Sequence, residues 1–322
     1  MTQAALEKEN KEIAKQYKEL LRISYQTLSR EDKKLIRSAF DVAVDAHKEQ
    51  RRKSGEAYIF HPIAVAKIVA SEIGLDAISI ASALLHDVVE DTPYTLDDIE
   101  RMFGETVARI VDGLTKIAHL KKDKNISQQA ENFRKMLLTL NDDVRVIIIK
   151  IADRYHNMLT MDAMPEHKQV KIASETLYIY APLAHRIGLY NIKTQLEDLS
   201  LKYTEADVYD DIFNKIEETE EEQKAYINAF TKVISDSLDA EGLNYDVKGR
   251  MKSIFSIRRK MVAQNVAFDE IYDKFDIRII YKSDRKANGW KFRSVVIGCM
   301  KLRKRGMPPI LNTNMGTKKN KA

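Results

Sequence analysis

The chain has 322 residues, 44% of them hydrophobic, with 53 Lys/Arg against 48 Asp/Glu and a net charge of +5. That is apolar material enough for two ordinary domains, and no apolar run approaches the length of a membrane span. The positive balance is local: nine Lys/Arg and no Asp/Glu lie between Lys291 and Ala322, so the rest of the chain is slightly acidic and bulk charge makes no case for specific nucleic-acid binding.

A single cysteine, Cys299, excludes an internal disulfide framework and fits a reducing cytoplasm. Gly and Pro number only 11 and 6. Apolar residues recur mostly at three- and four-residue spacing, which predicts a mainly helical protein. Residues 1–30 read as a polar helix, and Ser29-Arg30-Glu31-Asp32 as the cap of an amphipathic helix over 32–50. A polar loop, Arg51 to Tyr58, precedes His61-Pro62, where Pro62 suits the first turn of a helix that Gly74 ends. The next helix is expected to run on through His86-Asp87-Val88-Val89-Glu90-Asp91 until Thr92-Pro93 stops it, with His86/Glu90 and Asp87/Asp91 sharing faces.

Residues 95–120 predict two short helices punctuated by Gly104 and Gly113, followed by a charged loop, Lys121–Asn125, and a helix over 128–140. The β-branched run from Val144 to Met158 could be a strand. Its polar residues, however, follow at helical spacing (Lys150 to Arg154, Asp153 to Asn157), which favours a buried helix. Two helices are expected over 168–203, and an acidic helical connector over 205–240. After Gly242 the pattern changes: Tyr245-Asp246-Val247 and Ile277–Tyr281 read as strands flanking a basic helix from Ser253 to Gln264.

Three separated stretches carry ligand-type side chains: His61, His86-Asp87 with Glu90-Asp91, and Asp153 with Asn157. Imidazole and carboxylate suit a divalent ion, and two histidines with two aspartates can enclose one while leaving positions open. Arg52, Lys53 and Lys150 could meet the charge of a phosphorylated substrate. His156 and His185 have no place in this set and read as structural histidines, while His47, His119 and His167 read as surface residues.

This H…HD…D order resembles the HD-domain metal phosphohydrolases. Arg52 to Pro62, His86 to Thr92, Gly113-Leu114-Thr115-Lys116, Ala152 to Met158 and Ala181 to Gly188 narrow the resemblance to the RelA/SpoT-type alarmone enzymes, over roughly residues 20–285. The resemblance implies an all-helical hydrolase domain that releases pyrophosphate from the 3′ position of (p)ppGpp, a guanine nucleotide, with Mn2+ as cofactor. His61, His86, Asp87 and Asp153 match the family's metal ligands, Glu90 and Asp91 its water-handling pair, and Arg52, Lys53, Ser54 and Asn157 its nucleotide pocket. One departure is Leu159, where the family usually has arginine.

The family resemblance extends into a second, α+β domain. Gly249 to Met261 looks like the ATP-binding start of a synthetase, and Arg250, Lys252, Ser256 and Lys260 would be its vestigial residues, with Asp273 matching an aspartate that binds Mg2+. After Lys286 the match stops, and the family's Gly-Tyr-x-Ser-Leu-His and Glu-Val-Gln-Ile-Arg segments are absent. Codons can be chosen for Trp290 to Gly316 so that a shifted frame encodes MEVQIRSDRMYEIAEKGYAAHFKYKHG, a string typical of this family. An internal deletion followed by a frameshift is therefore expected, leaving a disordered basic tail.

The expected organisation is a helical hydrolase domain at 1–203, a connector at 204–242, a synthetase remnant at 243–288 and an out-of-frame tail at 289–322. The C-terminal ribosome-contacting regions of longer family members are expected to be missing. Two other readings stay open: a (p)ppGpp synthetase with a regulatory N-terminal half, and an inert alarmone-binding module.

Overall fold

The computed structural model describes residues 3–24, 28–120, 143–240, 242, 244–271 and 274–281. It divides into two compact units, Met1–Thr204 and Glu205–Ala322. The expected loop at 121–125, the helix at 128–140 and the tail beyond 288 lie outside the described residues.

The first unit is helical. Helix α1 (Gln3–Ser24) is polar outside but buries Tyr17 and Leu20, and the Tyr17 ring stacks on Phe40 of α2 (Arg30–Ala46) with centroids 4.2 Å apart. Ser29 caps α2 as its sequence suggests: Ser29 Oγ accepts from the Asp32 amide at 3.1 Å, and Asp32 Oδ2 accepts from the Ser29 amide at 2.9 Å. Helix α3 (Phe60–Lys67) continues as a π-helical turn, Ile68–Ile73.

Helix α4 (Ala77–Leu84) corrects the sequence reading. It stops at Leu84, and α5 (Val88–Asp91) starts afresh, so His86 and Asp87 occupy a turn and not a continuous helix. The backbone tightens there: Val88 N–H reaches Leu85 O at 3.1 Å, and His86 Nδ1 lies 2.8 Å from Ala83 O. Adjacent residues of a regular helix do not face one another. In this turn they do, while Leu84, Leu85 and Val88 all stay buried.

Helix α6 (Leu96–Phe103) ends at Gly104, but Gly113 does not break α7 (Glu105–Leu120). It sits mid-helix where α7 crosses α8 (Val144–Leu159); a Cβ at Gly113 would lie 2.9 Å from Val146 Cγ2, so the missing side chain permits the close approach. Helix α8 is the buried helix favoured above. Ile147, Ile149, Ile151 and Ala152 are fully buried in the same apolar core that takes in Ile36, Ile63, Ile80, Leu84 and Ile110. Where two helices were expected over 168–203 there are three, α9 (Glu166–Glu175), α10 (Ala181–Arg186) and α11 (Tyr190–Thr204), with a π-helical turn at Thr176–Tyr180 between the first two.

In the second unit the acidic stretch forms two helices, α12 (Ala206–Glu218) and α13 (Glu220–Ala240). Strands β1 (Tyr245–Met251) and β2 (Phe275–Tyr281) pair antiparallel, from Tyr245 opposite Tyr281 to Met251 opposite Phe275, with α14 (Ile254–Gln264) between them in sequence. Ile234 and Leu238 of α13 are buried with Val247, Ile277 and Ile279 packed around them. The stretch read as a solvated connector therefore supplies the apolar face on which this small sheet rests.

Candidate metal centre

Helix α3, the α4–α5 turn and α8 each deliver part of one cluster. His61 is on α3, the turn presents His86 and Asp87, and α8 presents Asp153 from its buried side. Ligand-type atoms of His61, His86 and Asp153 all lie within 4.8 Å of one another. His61 Nε2 is 3.2 Å from Asp153 Oδ1, and His86 Nε2 is 3.9 Å from the same oxygen. Asp87 Oδ2 completes the ring, 3.0 Å from His86 Nε2 and 3.9 Å from His61 Nε2. His61, His86 and Asp153 are buried, and Asp87 is nearly so.

The donor chemistry fits a cation. A backbone carbonyl only accepts, so the contact between His86 Nδ1 and Ala83 O, 2.8 Å long, puts the imidazole proton on Nδ1. In the neutral ring His86 Nε2 is then a lone pair, buried and aimed at the carboxylates of Asp87 and Asp153, and without a cation there only a second proton on Nε2 could satisfy it. Electron-rich atoms gathered in a dry space require a positive charge among them.

The electrostatics express the same need. Burial disfavours the charged form of His86, yet the neighbouring Asp87 carboxylate outweighs it and the pKa is raised. Burial lowers the pKa of His61. Burial also opposes ionisation of Asp87 and Asp153, but His86 holds the first and Lys150 the second below the usual carboxylate range. Lys150 Nζ lies 3.0 Å from Asp153 Oδ2 and is buried, so this lysine is committed to the cluster and does not reach out to a substrate phosphate as its sequence suggested.

Asp153 also lines a cavity of about 520 Å³ together with Arg52, Lys53, Ser54, Tyr58 and Asn157. The loop carrying the first three closes through an antiparallel bridge between Arg51 and Ala57 and a turn in which Gly55 N–H bonds Arg52 O at 2.9 Å, with Gly55 at φ +89. Arg52 crosses to α8, donating to Asn157 Oδ1 at 2.9 Å and Thr160 Oγ1 at 3.1 Å, and Asn157 Nδ2 in turn donates to Asp153 Oδ1 at 2.6 Å. Lys53 and Ser54 are exposed at the cavity rim. Leu159, the departure from the family pattern, points outward and is 47% exposed.

Glu90 lies one turn along α5, half-buried, and takes no part in these contacts. Asp91 stands closer, with its Oδ2 3.5 Å from Tyr58 Oη; burial and then the Asp87 charge raise its pKa.

Three residues at this site escaped the sequence reading. Tyr58 donates to Asp87 Oδ2 at 2.6 Å. His156 contacts both His61 and Arg52, and burial, followed by those two neighbours, pushes its pKa down to about 3. Its position three residues after Asp153, on the same helix face, was the available signal. His47, expected on the surface, is only 1% exposed and packs its ring 4.7 Å from that of Tyr58. His185 and His167 are exposed.

The residues matched to a synthetase lie in the second unit. Arg250 is exposed on β1, Lys252 Nζ is 3.5 Å from Asp276 Oδ1, and the Ser256 amide is capped by Ser253 Oγ at 3.2 Å. Lys260 is half-buried on α14, and Asp273 lies outside the described residues.

A family model described as an HD domain matches residues 39–190, a span containing every member of the cluster. A GTP pyrophosphokinase of Myxococcus xanthus is 44% identical over 252 residues, covering 77% of this chain and 33% of the relative. A probable guanosine-3′,5′-bis(diphosphate) 3′-pyrophosphohydrolase of Synechocystis is 44% identical over 263 residues, 81% of this chain and 34% of that protein. The bifunctional (p)ppGpp synthase/hydrolase SpoT of Escherichia coli is 44% identical over 256 residues, covering 79% and 36%. The chain thus spans about a third of the length of the curated relatives it matches. Among the described residues no helix is long and apolar enough to cross a membrane.

Proposed function

The chain is a RelA/SpoT-type protein built on an HD domain, and from that premise we propose that it is a Mn2+-dependent hydrolase acting in the cytoplasm, which takes water and (p)ppGpp to pyrophosphate and GDP or GTP. The observation that carries the reading is the bare, buried Nε2 of His86 facing two carboxylates beside a cavity rimmed by Arg52 and Lys53.

In this reading His61, His86, Asp87 and Asp153 hold the ion. When bound, it supplies Lewis acidity and lowers the pKa of a water. Arg52, Lys53, Ser54 and Asn157 hold the nucleotide and its phosphates; guanidinium groups match phosphate oxygens in pairs and offset the charge of the transition state. Water attacks the phosphorus joined to the 3′ oxygen, the P–O bond breaks, and the 3′ oxygen leaves with a proton. Asp91 and Glu90 are the proposed carriers of the water's proton. The raised pKa of Asp91 makes its carboxylate a better proton acceptor than a fully solvated aspartate would be.

We assign the hydrolase to residues 1–203, a connector to 204–242, a synthetase remnant to 243–288 and a shifted-frame tail to 289–322, and expect the remnant to be inactive. Purified protein with Mn2+ and ppGpp should release pyrophosphate, and should form no product from ATP and GDP. Metal-loaded protein that releases no pyrophosphate would overturn the hydrolase assignment. Synthesis from ATP and GDP would instead establish the synthetase reading.

A further inference from the structure

His156 is not among the residues that could hold the ion, yet it touches one of them. His61 Nδ1 and His156 Nδ1 are 2.8 Å apart, too close for two bare lone pairs, so one of the two nitrogens carries a proton. Arg52 decides which. Its guanidinium can only donate, and Arg52 Nη1 lies 3.2 Å from the same His156 Nδ1. His156 Nδ1 is therefore the acceptor, shared between Arg52 and His61, and the proton sits on His61 Nδ1. A neutral imidazole protonated at Nδ1 has its lone pair at Nε2, 3.2 Å from Asp153 Oδ1 and 3.9 Å from Asp87 Oδ2, an arrangement that is favourable only with a cation between the nitrogen and the carboxylates.

We propose that His156 is a positioning residue that selects the metal-binding tautomer of His61, with Arg52 fixing the direction of the hydrogen bond. The two histidines of the cluster are oriented by different means. His86 leans on the carbonyl of Ala83, which is always an acceptor. His61 leans on a side chain whose acceptor role depends on Arg52. Arg52 also donates to Asn157, which donates to Asp153. One cavity residue thus reaches two members of the cluster, His61 through His156 and Asp153 through Asn157. Outer partners of this kind commonly change metal affinity by about 10- to 100-fold when removed.

The inference rests on the proposed metal site, and the test separates the two. Mn2+ binding is titrated by electron paramagnetic resonance in the whole chain, in His156→Asn and in His156→Phe, with thermal melting as the check on folding. The Asn amide oxygen can stand where Nδ1 accepts; the Phe ring fills the space but accepts nothing. The expected result is an affinity within about threefold of wild type for His156→Asn and a loss of about tenfold or more for His156→Phe. Long-range 15N–1H spectra of the metal-free wild-type protein should show His61 protonated at Nδ1, a readout that needs no metal. Equal Mn2+ affinity in both variants, or a wild-type His61 protonated only at Nε2, overturns the role of His156 and leaves the metal site standing. A wild-type chain that binds no Mn2+ while His61 is protonated at Nδ1 overturns the metal site and leaves the hydrogen-bond assignment standing.

Discussion

Tyr58 gives its hydroxyl proton to Asp87 Oδ2 across 2.6 Å, and its ring rests against His47. Burial, and after it the Asp87 charge, raises the tyrosine pKa, so the hydroxyl remains a donor throughout the physiological range. This bond fixes the rotation of a carboxylate that stands beside two imidazoles. Tyr58→Phe keeps the ring and removes only the donor. Mn2+ affinity should fall about tenfold while the melting temperature stays close to that of wild type. Calorimetric titration checks the first and circular dichroism the second; unchanged affinity would mean that Asp87 is oriented without Tyr58.

Asp87→Ala removes the oxygen nearest to His86 Nε2 and should abolish pyrophosphate release. The metal-free variant should fold, because Leu84, Leu85 and Val88 still anchor the turn and the substitution removes the repulsion between the Asp87 and Asp153 carboxylates. Metal content is measured alongside activity. A variant with full activity and bound Mn2+ would refute the assigned ligand set.

The sequence made some of this legible. His61, His86, Asp87 and Asp153 stand out as ligand-type side chains set in apolar stretches, but it is the resemblance to the HD-domain phosphohydrolases that implies their convergence; α3 and α4 are buried on nearly every side, so spacing alone sets no direction for them. The turn at 85–87 could not be anticipated. Ala83-Leu84-Leu85 and Val88-Val89 satisfy a continuous helix and a broken one equally well, and the choice depends on contacts far away in sequence. His47 was misjudged, and the contacts of His156 went unseen, for a related reason. A histidine carries no mark of its partners, and those of His156 are Arg52 and His61, over ninety residues earlier. Gly113 looked like a stop because glycine costs about 1 kcal/mol in a helix interior, and the close approach of Val146 that it permits comes from a helix more than thirty residues on.

That misreading yields a stability prediction. In Gly113→Ala the new Cβ would meet Val146 Cγ2 at 2.9 Å, closer than carbon atoms pack. Overpacking of a core typically costs about 1–3 kcal/mol, which exceeds the gain of about 1 kcal/mol that alanine brings to a helix interior. Gly113→Ala should therefore lower stability towards urea. Adding Val146→Ala should recover part of the loss although Val146→Ala alone is also destabilising, because the pair restores volume across the α7–α8 contact. Additive losses in the double variant would show that the two helices do not meet through these side chains.

His47 supplies a pH dependence with a definite sign. Burial lowers its pKa in the folded chain, and Nε2 is buried without a hydrogen-bond partner, so the folded state resists protonation there. The unfolded chain has no such restriction and takes up a proton near pH 6.5. Stability contributed by the neutral ring is fully present above that value. It is lost as the pH falls through the unfolded pKa towards the lowered folded one, because the unfolded state then binds more protons. Metal-free protein should melt at a lower temperature at about pH 5 than at about pH 7.5. His47→Asn, which carries no titrating group, should melt lower than wild type at the higher pH but show a smaller fall between the two. An identical fall in the variant would place the titrating burden on the other buried histidines and remove His47 from the account.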